Sequence, residues 1–106
     1  MHRWASTSLI SLLAAAALAA GPDAHRQAEP RHLLEQDCGS CHGLTLRGGL
    51  GPALLPENLA GKPDAFLVQT ILDGRPGTAM PPWRPLISET DAGWLVQRLL
   101  NGEAVR

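Results

Sequence analysis

Cys38-Gly39-Ser40-Cys41-His42 is the stretch that decides how this chain is read. Two thiols three residues apart, followed at once by an imidazole, form the pattern of a c-type haem attachment site. On a helix, positions i, i+3 and i+4 share one face, so both sulfurs and the ring nitrogen are expected to point the same way. A porphyrin with vinyl groups on adjacent edges is then tied by two thioethers while His42 takes the iron. Upstream, Leu34, Cys38 and Cys41 continue one stripe at helical spacing.

Other chemistries suit these residues less well. A structural zinc ion wants four Cys or His ligands, and only His25 and His32 remain as extras. A thioredoxin-like redox pair sits beside a βαβ pattern, yet no β-rich run precedes Cys38. An ordinary disulfide between residues three apart on a helix is strained and closes almost no loop.

Working outward towards the N-terminus, the 106 residues hold one small domain at most. His2 and Arg3 give a positive start, Leu9 to Ala20 is almost wholly apolar, and Ala17-Leu18-Ala19 offers a small-residue cleavage site. A secretory signal over 1–19 is therefore expected. A retained membrane anchor needs about 20 apolar residues, and Ser6, Thr7, Ser8 and Ser11 interrupt the run, so no stable membrane association is expected after cleavage. Residues 20–29 are polar and without periodicity, and read as a flexible leader to a domain at 30–106. The mature chain of about 86 residues is short for a generous core; a buried haem supplies the missing apolar centre. The chain carries 9 Lys and Arg against 10 Asp and Glu, so loss of Arg3 leaves 8 against 10, a formal charge of −2. With no basic run, nucleic acid and anionic membrane surfaces are not expected partners.

Towards the C-terminus, Pro30 suits the first turn of a helix, and Arg31 to about Cys41 is expected to form three turns that deliver the haem motif. His32 reads as a solvated residue of that helix. Residues 43–61 carry so many Gly and Pro breakers that no regular element is expected, with Leu44, Leu46, Leu50, Leu54, Leu55 and Leu59 as apolar anchors. Within this loop the Pro52 carbonyl is the candidate acceptor for the second N–H of His42, because an iron-bound imidazole normally donates to a carbonyl. A helix is expected over Asp64 to Asp73, with Leu67, Val68, Ile71 and Leu72 on one side and Gly74 as its stop. Phe66 reads as core or haem-edge filler.

The stretch Gly74-Arg75-Pro76-Gly77-Thr78-Ala79-Met80-Pro81-Pro82-Trp83 is a second loop. Once Met1 is removed, Met80 is the one methionine left of the two. A lone methionine is usually core filler, but this thioether stands in a loop stiffened by two prolines and is the candidate second iron ligand, opposite His42. Arg75 and Arg84 are candidates for pairing with haem propionates, and Trp83 for covering a haem edge. Ser88 and Asp91 form a capping-box pattern that opens a last helix with Ala92, Leu95, Val96 and Leu99 on one face and Asn101-Gly102 at its end. Trp94 points away from that face, against Ile87 and a neighbouring segment or towards a partner.

Taken together, a haem-binding helix, a Gly-Pro loop, a middle helix, a methionine loop and a C-terminal helix make the chain resemble a class I cytochrome c over about Pro30 to Leu100. The resemblance implies an all-α fold, several short helices and long loops around one covalently bound haem c, with the first and last helices crossing. It also implies thioethers at Cys38 and Cys41, iron ligation by His42 and Met80, and a hydrogen bond from His42 to Pro52. Haem attachment of this kind takes place outside the cytoplasm, which agrees with export to the periplasm. The runs Cys38 to Leu54 and Gly74 to Pro85 are similar to the small periplasmic NirC-type cytochromes associated with cytochrome cd nitrite reductase. Two departures stand out: Pro30 and Leu34 occupy the crossing where many members have a glycine and an aromatic, and Arg98 takes a place often held by an aromatic.

The expected function is therefore single-electron transfer by a monomeric carrier rather than catalysis. Redox proteins are the expected partners, cytochrome cd nitrite reductase among them. An alternative role is assembly of the reductase's special haem, and a third is an enzyme with an open iron site, which requires a labile Met80.

Overall fold

The computed structural model describes residues 27–103. The expected signal over 1–19 and the leader up to residue 26 lie outside the described residues. Within them the chain is helical and contains no strand, and no helix is long and apolar enough to cross a membrane.

A continuous run of helix covers 28–42 in three windings. Ala28–His32 (α1) is α-helical, Leu33–Cys38 winds more widely as a π-helix, and Gly39–His42 (α2) returns to the α form. Two expectations need correcting here. The helix begins inside the stretch read as leader, because Pro30 is tolerated in a first turn where its missing N–H has no helical partner. It is also not a regular α-helix, so the stripe from Leu34 through Cys38 crosses a change of winding.

Pro56–Leu59 (α3) is a single turn inside the segment expected to lack regular structure, started by a proline at its first position. Asp64–Asp73 (α4) has the expected bounds, with Pro63 before it and Gly74 after it. Glu89–Leu100 (α5) opens with the expected capping box: the Asp91 N–H donates to Ser88 Oγ at 3.1 Å and the Ser88 N–H donates to Asp91 Oδ2 at 3.2 Å.

Helix α5 is the hub, touching α1, α3 and α4. Ala92, Leu95, Val96 and Leu99 turn one face into a core shared with Leu33, Leu34, Leu59, Leu67, Ile71 and Leu72. Each such leucine contributes about 1.5–3 kcal/mol by leaving water, more than the exposed ion pairs at roughly 0–1 kcal/mol. Packing of α4 and the 28–42 helix on α5 thus fixes the frame from which both loops hang. A polar tie adds to it where the Gln97 amide donates to Asp64 Oδ2 at 2.8 Å.

At the crossing of the first and last helices, Pro30 and Leu34 are buried. Beside them the Trp94 ring takes the guanidinium of Arg31 at 5.7 Å and that of Arg98 at 4.9 Å. Arg98 also pairs with Glu103. A tryptophan flanked by two cations thus stands near the place where an aromatic contact was expected, and Arg98 is part of it.

Candidate functional site

The C-terminus of the 28–42 helix leaves carbonyls without helical partners, and the glycine-rich loop folds back to satisfy them. The Gly51 N–H donates to the Cys41 carbonyl and the Gly48 N–H to the His42 carbonyl, both at 2.8 Å. Leu46 plugs the loop into the core, buried and held at φ 58°, with its carbonyl accepting from the Leu54 N–H at 2.9 Å. Leu44 and Leu50, expected as further anchors, are 78% and 93% exposed. Leu50 nevertheless lines the cavity described below, whereas Leu44 does not.

This fold-back carries Pro52 to the imidazole. His42 Nδ1 lies 2.7 Å from the Pro52 carbonyl, so Nδ1 holds the proton that it donates and Nε2 keeps a free lone pair able to take a metal. Gly51 lies flat against the same ring: a Cβ on it would stand 2.8 Å from His42 Cε1 and Nδ1. Sequence reasoning assigned a role to Pro52 and none to Gly51; the signal was there in its adjacency to the proline.

The second loop is built on α4. The last carbonyls of that helix, Ile71 and Leu72, accept from the Trp83 and Arg84 N–H groups at 3.2 and 2.9 Å. The chain between them is folded on itself: the Arg75 N–H donates to the Met80 carbonyl at 3.2 Å, and Thr78 Oγ1 donates to the Arg75 carbonyl at 2.6 Å.

Between these segments lies a cavity of about 360 Å³, lined by Cys38, Cys41, His42, Pro52 and Met80 together with core leucines. All five site residues proposed from the sequence are thus brought to one space. Its wall is apolar except at a few points, of which Asp37 and Arg75 are the charged ones. Trp83 lines it, as expected. Arg84 does not; its guanidinium grips Asp73 instead, with Nε to Oδ1 at 2.8 Å and Nη2 to Oδ2 at 3.0 Å. Phe66 does not line it either and is 53% exposed, because Leu67 and Ile71 define the buried face of α4 and Phe66 is turned from it.

The donor set suits a haem covalently held: two thiols, one imidazole nitrogen freed for metal, one thioether and an apolar wall in the size range of ligand sites. Among the described residues no cluster of three or more His, Cys, Asp or Glu is placed to hold a bare metal ion. Burial, aided by Asp37, pushes the Cys38 thiol up to about 11, so it is a neutral thiol at physiological pH.

Comparison with known proteins agrees with this geometry. Residues 25–97 match the family described as Cytochrome C oxidase, cbb3-type, subunit III. Cytochrome c55X of Pseudomonas aeruginosa is 71% identical over 82 residues, 77% of this chain and 69% of that protein. The solved c-type cytochrome NirC superposes with a TM-score of 0.78 at 67% identity, over 80% of this chain and all of that one. The solved dihydro-haem d1 dehydrogenase NirN, in complex with DHE, matches at 38% identity and a TM-score of 0.61, covering 67% of this chain but 16% of that one. The chain therefore belongs to the c-type cytochromes, within the cytochrome c55X or NirC family of electron carriers.

Proposed function

We propose that the protein is a monohaem electron carrier of the periplasm that passes single electrons to the nitrite reductase of denitrification. The observation that carries this reading is that His42 and Met80, from two separate segments, line the same apolar cavity as Cys38 and Cys41. Bound there, haem supplies one-electron exchange between ferric and ferrous iron. Cys38 and Cys41 would hold it by thioethers, and the single Cys-x-x-Cys-His run in the sequence supports one haem per chain. His42 Nε2 and the Met80 sulfur would hold the iron. The Pro52 carbonyl fixes the imidazole plane and raises the basicity of Nε2 through the Nδ1 hydrogen bond. Iron held by a thioether and an imidazole would favour the ferrous state and have a raised potential. Iron held by both side chains would offer no open position to a substrate, and the apolar wall favours a low-dielectric setting for it.

The test is to mix the reduced protein with oxidised cytochrome cd nitrite reductase at low and high salt and follow oxidation by rapid spectroscopy. Fast oxidation, slowed by salt where charge guides docking, is the expected result. Negligible oxidation with the haem intact overturns the donor role.

A second reading is favoured by the likeness to a segment of dihydro-haem d1 dehydrogenase: the electron transferred serves maturation of the reductase's special haem. Deleting the protein separates the two. A reductase lacking that haem supports assembly; a fully loaded reductase without an electron supply supports the carrier.

A further inference from the structure

Gly74 stops helix α4, and its surroundings give it a second task. It is buried, at φ 68° and ψ −166°, a backbone region open essentially to glycine alone. A Cβ on it would lie 2.6 Å from the Met80 carbonyl oxygen, 2.7 Å from the Pro81 carbonyl carbon and 2.8 Å from the Pro82 nitrogen. All three neighbours are backbone atoms, so no rotamer change relieves the collision. The chain from 80 to 82 lies directly on the bare face of Gly74.

We propose that Gly74 is a positioning residue for Met80: its missing side chain lets the Met80–Pro82 backbone seat against the end of α4, and that seat sets where the thioether reaches. Pro81 and Pro82 have φ locked by their rings, and Pro81 restricts the backbone of Met80 before it. A push at 80–82 is therefore not absorbed by local rotation and passes to the Met80 side chain. The Arg75 N–H, one residue beyond Gly74, holds the Met80 carbonyl at 3.2 Å and ties the seat at the same atom. The inference rests on the reading of Met80 as an iron ligand.

Gly77 provides a control within the same loop. It too has a positive φ, 79°, but a Cβ there would meet nothing within 4 Å. Replacing it adds backbone strain to the loop without touching Met80.

The experiment compares the holoprotein with its Gly74→Ala and Gly77→Ala variants by the sulfur-to-iron charge-transfer band of the ferric form and by carbon monoxide binding to the ferrous form. Total covalent haem is measured in each. The expected result is a band in the parent and in Gly77→Ala, and its loss in Gly74→Ala, with carbon monoxide binding gained and haem content unchanged. A parent without the band overturns the ligand assignment itself. A parent and a Gly74→Ala variant that both show it overturn the positioning role alone, as does loss of the band in both glycine variants. Should Gly74→Ala give no folded holoprotein, the double variant Gly74→Ala/Pro81→Gly decides, since freedom restored at 81 lets the chain step around the added methyl. Return of the band supports the proposal, and a folded, haem-loaded double variant without it overturns it.

Discussion

The segments that carry His42 and Met80 solve one problem in two ways. Each ends a helix by returning a loop to its last carbonyls, Gly48 and Gly51 to those of His42 and Cys41, Trp83 and Arg84 to those of Ile71 and Leu72. His42 is itself part of the helix so capped, and its ring is gripped through Nδ1 by Pro52. Met80 stands in mid-loop, and the hydrogen bonds at it are made by its backbone: its carbonyl accepts from Arg75 and its N–H donates to Thr78 Oγ1 at 3.3 Å. Orientation at His42 is set at the side chain, whereas orientation at Met80 is set through the main chain. On the proposed ligand set the imidazole is the fixed partner and the thioether the one that a loop shift would release.

His42→Ala is the change with the largest expected effect, because ligation and haem-centred packing are lost together. Stable holoprotein should fall by more than the roughly 10–100-fold that outer-shell changes cost a metal site; normal haem content and thermal stability would break the comparison. Met80→Ala comes next and should spare the thioethered haem while abolishing the charge-transfer band and opening the iron to carbon monoxide. An unchanged spectrum would remove Met80 from the site.

Gly51→Ala forces a methyl against the imidazole at 2.8 Å. Overpacking of this kind costs about 1–3 kcal/mol, and turning the ring away from Pro52 should shift the reduction potential, which a redox titration would detect. Trp94→Ala removes two cation–π contacts worth roughly 0.5–1 kcal/mol each when exposed and also the packing of the indole on the core, so the loss by denaturant unfolding should exceed about 1–2 kcal/mol. That loss should loosen the helix that carries His42 and leave the Met80 band in place.

The smallest effect concerns the clasp beside the Met80 loop. Hydrogen bonding to Arg84 holds the Asp73 carboxyl below its ordinary value of 3.8. A carboxylate with a depressed folded pKa stabilises the fold above the unfolded value and loses that contribution as pH falls through the folded one. Thermal melts of Asp73→Asn and the parent should thus differ slightly at neutral pH and converge in strong acid, both groups being exposed and screened by solvent.

How far the sequence foretold this depends on what each residue answers to. Cys38, Cys41 and His42 were legible because covalent attachment admits few residue types at few spacings. The limits of α4 and the Ser88–Asp91 box were legible because helix ends are decided by local hydrogen bonding. Exposure was not: Phe66 sits one residue from Leu67 on α4, and about 100° of helical turn decides which of them is buried. Leu44 failed for a related reason, since its direction is set by main-chain bonds closed around Cys41 and His42, while Leu50 does line the cavity. The tasks of Gly51 and Gly74 were hidden because a space left empty has no letter of its own; each glycine read only as punctuation.

The π-helical stretch Leu33–Cys38 carries a consequence for how this chain can vary. A wide turn houses an extra residue, and in an α-helix every residue added rotates the downstream part of the helix by about 100°. The stretch therefore acts as a phase shifter between the leucines that enter the core and the Cys-Gly-Ser-Cys-His run that faces the cavity. Winding all six residues as α-helix would leave the composition of the motif intact while turning its thiols away from the cavity, whereas deleting one residue at the same time would nearly restore their direction. Length and winding of this stretch are therefore coupled: a homologous chain can lose the extra residue only together with the wide turn that houses it.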